Sequence, residues 1–350
     1  MDNIIYIRTL KRVDYSVFCV SDSQKTYYDF LFNRYMPYSS GQQVKRCLLE
    51  RLCDVLGVKP SPTTFMLDYD GTNIKEGEVH TTCDPSYPDQ LLGGWMKASK
   101  GGTTRTLNRR SPLSISIMDG LHPALCGIQK EIASFDRSDR DNNVIKMTGP
   151  DGELLTQEEV EEIIDGKDRS VNRKWIDRDK NKRATGLFKQ SVAIDLRRLF
   201  SVSVSRLEPE ITVETQNKLV EEGWVRGSNR FGDCLVAPKD VRTKLIDALV
   251  KAILTWKITS NQSRTFSMME TLAIAVSSDA NAIGQVMYAI PKEKGADPIF
   301  NENMPGVTTF VAANAPAYIN CTTETPEAFT NAEKYLIELL NSFEYENQIL

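Results

Sequence analysis

Strand-like and helix-like patterns of apolar residues alternate along the chain, and their order limits the fold more than any other feature of the sequence. Runs of β-branched and aromatic residues predict strands, whereas apolar residues that recur at helical spacing predict amphipathic helices. The predicted elements are, in chain order, strand 3–20, helix 42–56, strand 112–118, strand 187–205, helix 238–256 and strand 266–277. The sequence therefore predicts a mixed α+β fold.

The order strand, helix, strand, strand, helix, strand is that of a ferredoxin-like core. Two long segments, residues 57–110 and 127–186, interrupt this core. Residues 208–237 are ambiguous and favour a short helix followed by a hairpin, and a further helix is predicted at 326–343. We therefore expect one domain over residues 1–350, with two insertions and a C-terminal helix.

Composition limits the classes of partner. The formal net charge is −4, with 41% hydrophobic and 26% charged residues, as in an ordinary soluble protein. This balance argues against a uniformly basic nucleic-acid binder, but it is compatible with a local basic groove, because the distribution of charge matters more than its sum. No apolar run approaches the length of a membrane span, so no membrane partner is expected.

Cysteine usage and the N-terminal segment both favour a cytoplasmic location. The seven cysteines are scattered and odd in number, which favours reduced thiols over a disulfide framework. The segment MDNIIYIRTLKRVDY has an acid at position 2 and interrupts its apolar run with Arg8, Lys11 and Arg12, unlike a secretory signal.

Few residues are available for catalysis or metal binding. The chain has two histidines, His80 and His122, and it lacks a Gly-x-Ser-x-Gly elbow, a P-loop and a dinucleotide-binding glycine motif, so we expect no enzyme activity. His80 lies near Cys83 and His122 near Cys126, and these residue types bind zinc. Neither pair has the Cys-x-x-Cys spacing of strong zinc sites, so ordinary packing is the alternative, and no other cofactor is expected.

Three polar segments have the chemistry of nucleic-acid contacts. Residues 97–110, KASKGGTTRTLNRR, hold five cations and no acid, and residues 257–264, KITSNQSR, offer amides, hydroxyls and an arginine. Residues 38–52, YSSGQQVKRCLLERL, begin a helix with Lys45 and Arg46 at the end where the helix dipole favours an anion. Such groups bind phosphate and ribose. The alternatives are a solvated loop, a turn, and a capped surface helix with an i, i+4 ion pair, respectively.

The ordered set of these motifs resembles that of the backbone subunits of Cascade-type CRISPR effector complexes, the Cas-seven family of the RAMP superfamily. That family has a Ser-Ser-Gln-x-x-Lys-Arg-like motif at its first helix, which is SSGQQVKR here, with an extra Gly41. Its Arg-Arg-Ser-Pro-Leu-like entry into the second strand is matched by NRRSPLSISI at 108–117, and its polar loop with an arginine by SNQSRTF at 260–266. The resemblance covers the core and is weak in the two long segments.

The resemblance implies a modified RRM or ferredoxin-like palm, with residues 57–110 as a finger and 127–186 as a thumb. Copies of such a subunit form a head-to-tail helical filament along one guide CRISPR RNA. They act in antiviral defence with other effector subunits and the target nucleic acid, and base pairing by the guide reads the target. The residues implied to bind RNA are Ser39, Ser40, Gln42, Lys45, Arg46, Arg109, Arg110, Asn261, Gln262, Ser263 and Arg264.

Other functions stay open on the sequence alone. Some relatives cut target RNA with an aspartate before the first helix, and Asp22 and Asp29 lie in that segment here. A processing nuclease of the same superfamily would use a histidine and a glycine-rich C-terminal loop, and residues 266–350 contain neither. A stand-alone RNA-binding protein and a protein-interaction module are the remaining alternatives.

Overall fold

The computed structural model describes residues 3–18, 24–97, 106–130, 144–165, 182–258 and 266–348. The chain forms two compact units, one made of Met1–Ile128 and Ala184–Leu350 and the other of Gln129–Arg183. Within the described ranges, no helix is long and apolar enough to cross a membrane.

Strands and helices are interspersed along the described residues. The strands are β1 (Ile4–Ser16), β2 (Thr26–Asp29), β3 (Arg34–Ser39), β4 (Thr63–Tyr69), β5 (Ile74–Thr81), β6 (Trp95–Lys97), β7 (Leu107–Arg109), β8 (Leu113–Ile115), β9 (Met118–Gly120), β10 (Cys126–Lys130), β11 (Lys182–Asp195), β12 (Ser201–Ser203), β13 (Val225–Asn229), β14 (Gly232–Val236), β15 (Glu270–Ser277), β16 (Met287–Pro291), β17 (Ala296–Phe300), β18 (Val307–Ala312) and β19 (Glu324–Thr325). The helices are α1 (Gly41–Leu56), α2 (Pro88–Gly93), α3 (Gln157–Asp165), α4 (Leu196–Leu199), α5 (Val213–Glu221), α6 (Lys239–Thr255), α7 (Ala280–Gly284) and α8 (Ala328–Asn341), and a 3₁₀ helix covers Ala315–Ala317.

The larger unit is built on an extended sheet with the strand order β19-β18-β15-β1-β11-β9-β3-β2. β1 lies in its interior and pairs antiparallel with β11, from Ile4 opposite Asp195 to Val13 opposite Gly186. On its other side, β1 pairs antiparallel with β15. β8 also pairs antiparallel with β11, so the strands of the predicted core lie in the spatial order β15-β1-β11-β8.

Alternation along β1 separates two apolar clusters. Ile5, Ile7 and Val13 belong to a large buried cluster that includes the apolar stripes of α1 and α6. Leu10, on the opposite side of the strand, belongs to a second cluster with Leu187 and residues of α7. Since burying a large aliphatic side chain contributes about 1.5–3 kcal/mol, these clusters hold the helices against the sheet. α1 packs against α6, and α6 packs against α8.

The predicted helices are confirmed, because their apolar stripes are buried as the spacing requires. α1 and α6 begin and end within one or two residues of the predicted bounds, and α8 lies within the range predicted for the last helix. The ambiguous segment 208–237 contains α5 and the β13–β14 hairpin, as favoured.

The prediction of one strand over 187–205 is wrong. β11 ends at Asp195, whose Oδ1 accepts the N–H of Arg197 at 3.1 Å and caps the short helix α4. The next strand, β12, begins at Ser201 and pairs with β14 in a separate sheet. A local bond from an aspartate side chain to the backbone competes with strand pairing, and residue alternation does not reveal it.

The predicted strand 112–118 is interrupted at Ser116. The N–H of Ser116 donates to the carbonyl of Ser191 at 2.9 Å, whereas the N–H of Ser191 donates to the Ser116 hydroxyl at 2.8 Å. The hydroxyl takes the place of a backbone carbonyl in the ladder, so β8 and β9 form two short strands.

Smaller antiparallel assemblies belong to the same unit. They are the β12-β14-β13 sheet and the hairpins β4–β5, β6–β7 and β16–β17. Every residue of β4 is exposed, including the large side chains of Phe65, Leu67 and Tyr69.

The unit Gln129–Arg183 contains α3, which begins with a capping box. The N–H of Thr156 donates to Oε2 of Glu159 at 2.8 Å, and the N–H of Glu159 donates to Oγ1 of Thr156 at 3.4 Å. Val160 of α3 is buried.

Candidate nucleic-acid interface

The start of α1 lies against the interrupted second strand of the core. Ser39 ends β3, which pairs with β9, and the Ser40 hydroxyl caps the helix by accepting the N–H of Gln43 at 3.3 Å. A Cβ on Gly41 would lie 2.5 Å from the carbonyl oxygen of Ile115. Glycine therefore permits an approach that any side chain would block, and this approach brings the segments SSGQQVKR and NRRSPLSISI together.

Ser39 does not reach the surface. It is 0% exposed, and its hydroxyl donates to Oε1 of Gln43 at 3.3 Å. This differs from the expectation that Ser39 binds RNA, because a buried hydroxyl with an internal acceptor cannot reach a phosphate. Ser40 is half-buried and Gln42 is exposed, so the surface of this turn is formed by the residues that follow Ser39.

Lys45 and Arg46 both have partners within the chain. The Lys45 ammonium donates to the carbonyl of Gly93 at 2.8 Å, and burial lowers the pKa of Lys45 to about 8. Arg46 is exposed and pairs with Glu50, one turn away, at 2.7 Å. The alternative of a capped helix with an i, i+4 ion pair is therefore confirmed in its geometry. It is compatible with RNA binding, because exposed ion pairs contribute only about 0–1 kcal/mol.

An open cleft of about 430 Å³, which we call the α1 cleft, is lined by residues of this helix that were predicted to bind RNA. Residues from α1, from the segment that follows it and from α2 line the cleft, among them Gln42, Lys45, Arg46, Glu50, Ser61 and Asp89. Asp89 accepts the Ser61 hydroxyl at 2.6 Å, and Glu50 holds Arg46. A phosphate that enters the cleft can replace Glu50 as the partner of Arg46, while Lys45 supplies a second cation.

Arg109 is a structural residue. It is 2% exposed, and its five N–H groups all donate within the chain: Nε and Nη2 to the Leu91 carbonyl, Nη2 also to the Arg198 carbonyl, and Nη1 to the Ser201 carbonyl and to Glu210. This corrects the expectation that Arg109 binds RNA. The guanidinium instead connects α2, α4, β12 and the segment before α5.

Arg110 has the opposite environment. It is exposed, and it forms no hydrogen bond or ion pair with the described part of the chain. It lines a second cleft of about 440 Å³, which we call the arginine cleft. This cleft is lined by Asn108, Arg110, Arg198, Ser203, Ser205, Leu207, Glu208, Glu210 and Phe231. Sequence reasoning found Arg110 but missed Arg198 and Phe231, because the residues come together only through the fold.

The predicted residues Asn261, Gln262, Ser263 and Arg264 lie outside the described residues. The residues that precede them include Trp256, which is fully buried beneath the ammonium of Lys11, 4.7 Å from the ring centroid. Lys11 donates to the Thr271 hydroxyl at 2.8 Å, and burial, followed by the charge of Lys257, lowers its pKa to about 7. The strand alternation of Ile5, Ile7 and Val13 could have indicated this burial, because Lys11 shares their face.

Of the two aspartates considered for RNA cleavage, Asp29 belongs to the described residues and ends β2. Oδ1 of Asp29 accepts the N–H groups of Leu31 and Phe32 at 3.0 and 3.1 Å, which is a turn-capping role. Asp22 lies outside the described residues.

The zinc hypothesis stays a prediction. No group of three or more His, Cys, Asp or Glu side chains in the described ranges has the geometry of a metal site. Nδ1 of His122 accepts the N–H of Ala124 at 3.0 Å, and Cys83 and Cys126 are buried in the large apolar cluster. His80 belongs to β5.

Comparison with known proteins gives structural neighbours without a sequence match. No protein-family model matches the chain, and no curated protein matches its sequence. The chain is similar to one from a "CRISPR RNA-guided surveillance complex, pre-nicking", with 10% identity, a TM-score of 0.46, and coverage of 96% of this chain and 89% of that chain. A chain of a "CRISPR RNA-guided surveillance complex" gives 13% identity, a TM-score of 0.44, and coverage of 95% and 99%.

Proposed function

We propose that this chain is a guide-RNA-binding backbone subunit of a CRISPR effector complex and assembles with copies of itself along the RNA. The observation that carries the proposal is the contact between the start of α1 and β8, where Gly41 approaches the Ile115 carbonyl. The two segments are far apart in sequence, and both belong to motifs that resemble those of the backbone-subunit family. The proposal requires both motifs to belong to one folded core, and this contact joins them.

The sheet supports a ferredoxin-like palm as the core of the proposed subunit. Its strands lie in the order β15-β1-β11-β8, with antiparallel neighbours throughout. α1 connects the first and second of these strands in the chain, and α6 connects the third and fourth, as the βαββαβ order requires. Both helices contribute to one apolar cluster.

The insertions keep the roles that the resemblance implies, as part of the proposal. The finger, residues 57–110, contains the exposed β4–β5 hairpin and the β6–β7 hairpin. The thumb, residues 127–186, includes the separate compact unit Gln129–Arg183. In a filament, these segments would contact neighbouring copies or the nucleic acid.

The proposed RNA contacts at the α1 cleft are made by Gln42, Lys45 and Arg46. An amide and two cations bind phosphate and ribose without reading base edges. This suits a subunit that holds any guide sequence and leaves target recognition to base pairing. In this proposal the chain binds the guide and does not cut the target.

The test is a charge reversal in the α1 cleft, Lys45→Glu/Arg46→Glu, in the full-length protein. Each charge-assisted hydrogen bond contributes about 1.5–3 kcal/mol, so we expect affinity for labelled guide RNA to fall by on the order of a hundredfold. Fluorescence anisotropy at fixed salt measures the affinity. Circular dichroism during thermal unfolding checks that the fold is kept.

A matched control is Lys244→Glu/Lys334→Glu, which makes the same change of net charge on α6 and α8. Both lysines are exposed on these helices. We expect this control to bind guide RNA within a few-fold of the wild type. Equal affinities of the folded α1-cleft variant and the control would reject the phosphate-binding role of Lys45 and Arg46.

A further inference from the structure

Several segments that are distant in sequence form the arginine cleft, and two arginines belong to its lining. Arg110 follows β7, Arg198 belongs to α4, and Phe231 lies in the turn between β13 and β14. The buried guanidinium of Arg109 links two of these segments, because it donates to the Arg198 carbonyl at 2.8 Å and to Glu210 at 2.8 Å. Buried contacts within the fold therefore define the shape of the cleft.

The carboxylates around the cleft are largely engaged by other groups. Oε2 of Glu210 accepts Nη1 of the buried Arg109 and the N–H of Ser203 at 2.9 Å. Asp195 pairs with Arg197 at 2.7 Å. Glu208 is exposed and is the remaining carboxylate of the lining. Glu210 is thus shared by Arg109 and Arg198, and Arg110 and Glu208 are the charged lining residues that have no partner among the described residues.

Arg198 is held in place before any ligand arrives. Its guanidinium carbon lies 3.5 Å from the ring centroid of Phe231, a cation–π contact, and its Nη1 reaches Oε1 of Glu210 at 3.5 Å. Burial lowers the pKa of Arg198; the carboxylates of Glu210 and Asp195 act against this shift, and the charges of Arg110 and Arg197 add to it. An anion between these arginines would relieve their mutual repulsion, and the fixed guanidinium would lose little freedom on binding it.

The neutral groups of the lining fit the same ligand. The amide of Asn108 and the hydroxyls of Ser203 and Ser205 lie on the cleft wall. Such groups accompany arginine at phosphate and sugar contacts, and hydroxyl and amide groups also bond the ribose 2′-OH.

We propose that the arginine cleft binds the phosphodiester backbone of a single-stranded nucleic acid, as a second contact separate from the α1 cleft. This inference rests on the proposed function, because it assumes that the chain binds RNA. The ligand is either the guide strand or a target strand, which share this chemistry. An acidic segment of a protein is the competing occupant, and the test separates it from nucleic acid.

The test uses Arg110, which is exposed and makes no described contact, so that its replacement leaves the fold intact. For a single strand, each neutralised phosphate contributes about 0.7 to the slope of log affinity against log salt. We expect Arg110→Ala to lower the magnitude of this slope for guide RNA by about 0.7, and Arg110→Glu to weaken binding by about tenfold. The control is Lys334→Ala, which should leave the slope unchanged.

A second arm adds labelled single-stranded RNA or DNA target to the wild type or the Arg110→Glu variant after each has been loaded with guide. Weaker guide binding by the variant assigns the cleft to the guide, and weaker target binding alone assigns it to the target; both support the proposal. Unchanged affinity and slope for every nucleic acid, with the wild type binding RNA, would overturn it and leave a protein segment as the occupant. A wild type that binds no RNA would instead overturn the proposed function.

Discussion

At the scale of single residues, strand geometry places two neighbouring arginines in different environments, one buried and one exposed. Arg109 and Arg110 are adjacent, yet alternation at the end of β7 turns Arg109 into the interior and Arg110 outward. Arg109 then balances the buried Glu210. Removal of either partner of such a pair would leave a buried charge uncompensated, at a cost of about 3–5 kcal/mol. Some cations of a basic run are therefore buried, and the number that can bind a ligand is smaller than the number in the sequence.

The lowered pKa of Lys45 predicts that the affinity for RNA depends on pH. Burial lowers its pKa from 10.5 to about 8, so its charge is present below pH 8 and is lost as the pH rises through that value. We expect wild-type affinity for guide RNA to fall by up to about tenfold between pH 7 and pH 9. The Lys45→Arg variant should show little change, because arginine stays charged.

Anisotropy titrations at constant ionic strength across this pH range measure the effect. A second readout is stability: because the pKa of Lys45 is lower in the folded than in the unfolded chain, its contribution makes the free energy of unfolding rise with pH between about 8 and 10.5. An identical pH dependence of RNA affinity in the wild type and Lys45→Arg would show that Lys45 does not bind phosphate through its charge.

At the scale of elements, the start of α1 depends on the residue that the sequence motif did not account for. Gly41 interrupts the spacing of the family-like motif, and the structure gives the reason: the first turn of α1 lies against the carbonyl groups of Ile115 and Ser116. The interruption of the second strand at Ser116 accompanies this contact. Helix start and strand break thus form one local arrangement.

Gly41→Ala tests this arrangement. Alanine favours a helix over glycine by about 0.5–1 kcal/mol, but its Cβ would lie 2.5 Å from a backbone oxygen, and overpacking of this kind costs about 1–3 kcal/mol. We therefore expect a net loss of stability of about 1 kcal/mol, together with weaker RNA binding. Urea unfolding measures the first effect, and anisotropy measures the second.

Gly284→Ala is the matched control for this substitution. Gly284 ends α7, and a Cβ there would lie 3.9 Å from a side-chain nitrogen of Arg8, which is ordinary contact. A Gly41→Ala variant that is as stable as Gly284→Ala would show that the close approach at Ile115 is not required.

At the scale of the whole molecule, two groups of large apolar side chains are exposed on the surface. Phe30 and Leu31, between β2 and β3, are 87% and 91% exposed, and Phe65, Leu67 and Tyr69 are exposed on β4. Apolar patches of this kind mark contact surfaces. They agree with a subunit that has neighbours, and a head-to-tail filament would bury the same patches in every copy.

The proposed assembly along RNA predicts the composition and the mass of the particle. When the chain is co-expressed with the other subunits of the proposed complex and a guide, we expect a particle that contains one guide and several copies of the chain. A longer guide should increase the particle mass in steps of one 39.5 kDa chain. Native mass spectrometry measures these steps. A chain that stays monomeric with guide and partners present would contradict the filament.

The sequence was sufficient for the core elements whose stability comes from apolar periodicity. α1 and α6 followed from their buried stripes, and β1 from its β-branched run. Side-chain bonds to the backbone defined the elements that were missed: Asp195 ends β11, and the Ser116 hydroxyl interrupts the second strand. At the candidate site, Lys45 and Arg110 were found as charges. Arg198 and Phe231 were missed, because their proximity to Arg110 depends on tertiary contacts among distant segments.

Strand pairing and the Trp95 indole anchor the β6–β7 hairpin to the rest of the larger unit. Trp95 lies opposite Arg109 and Lys97 opposite Leu107, and the Trp95 indole N–H donates to the Glu210 carbonyl at 2.9 Å. The two ends of the segment between Lys97 and Leu107 are therefore fixed by contacts that do not involve the segment itself. Trp95 and its partners are therefore the part of the hairpin that an engineered variant has to keep.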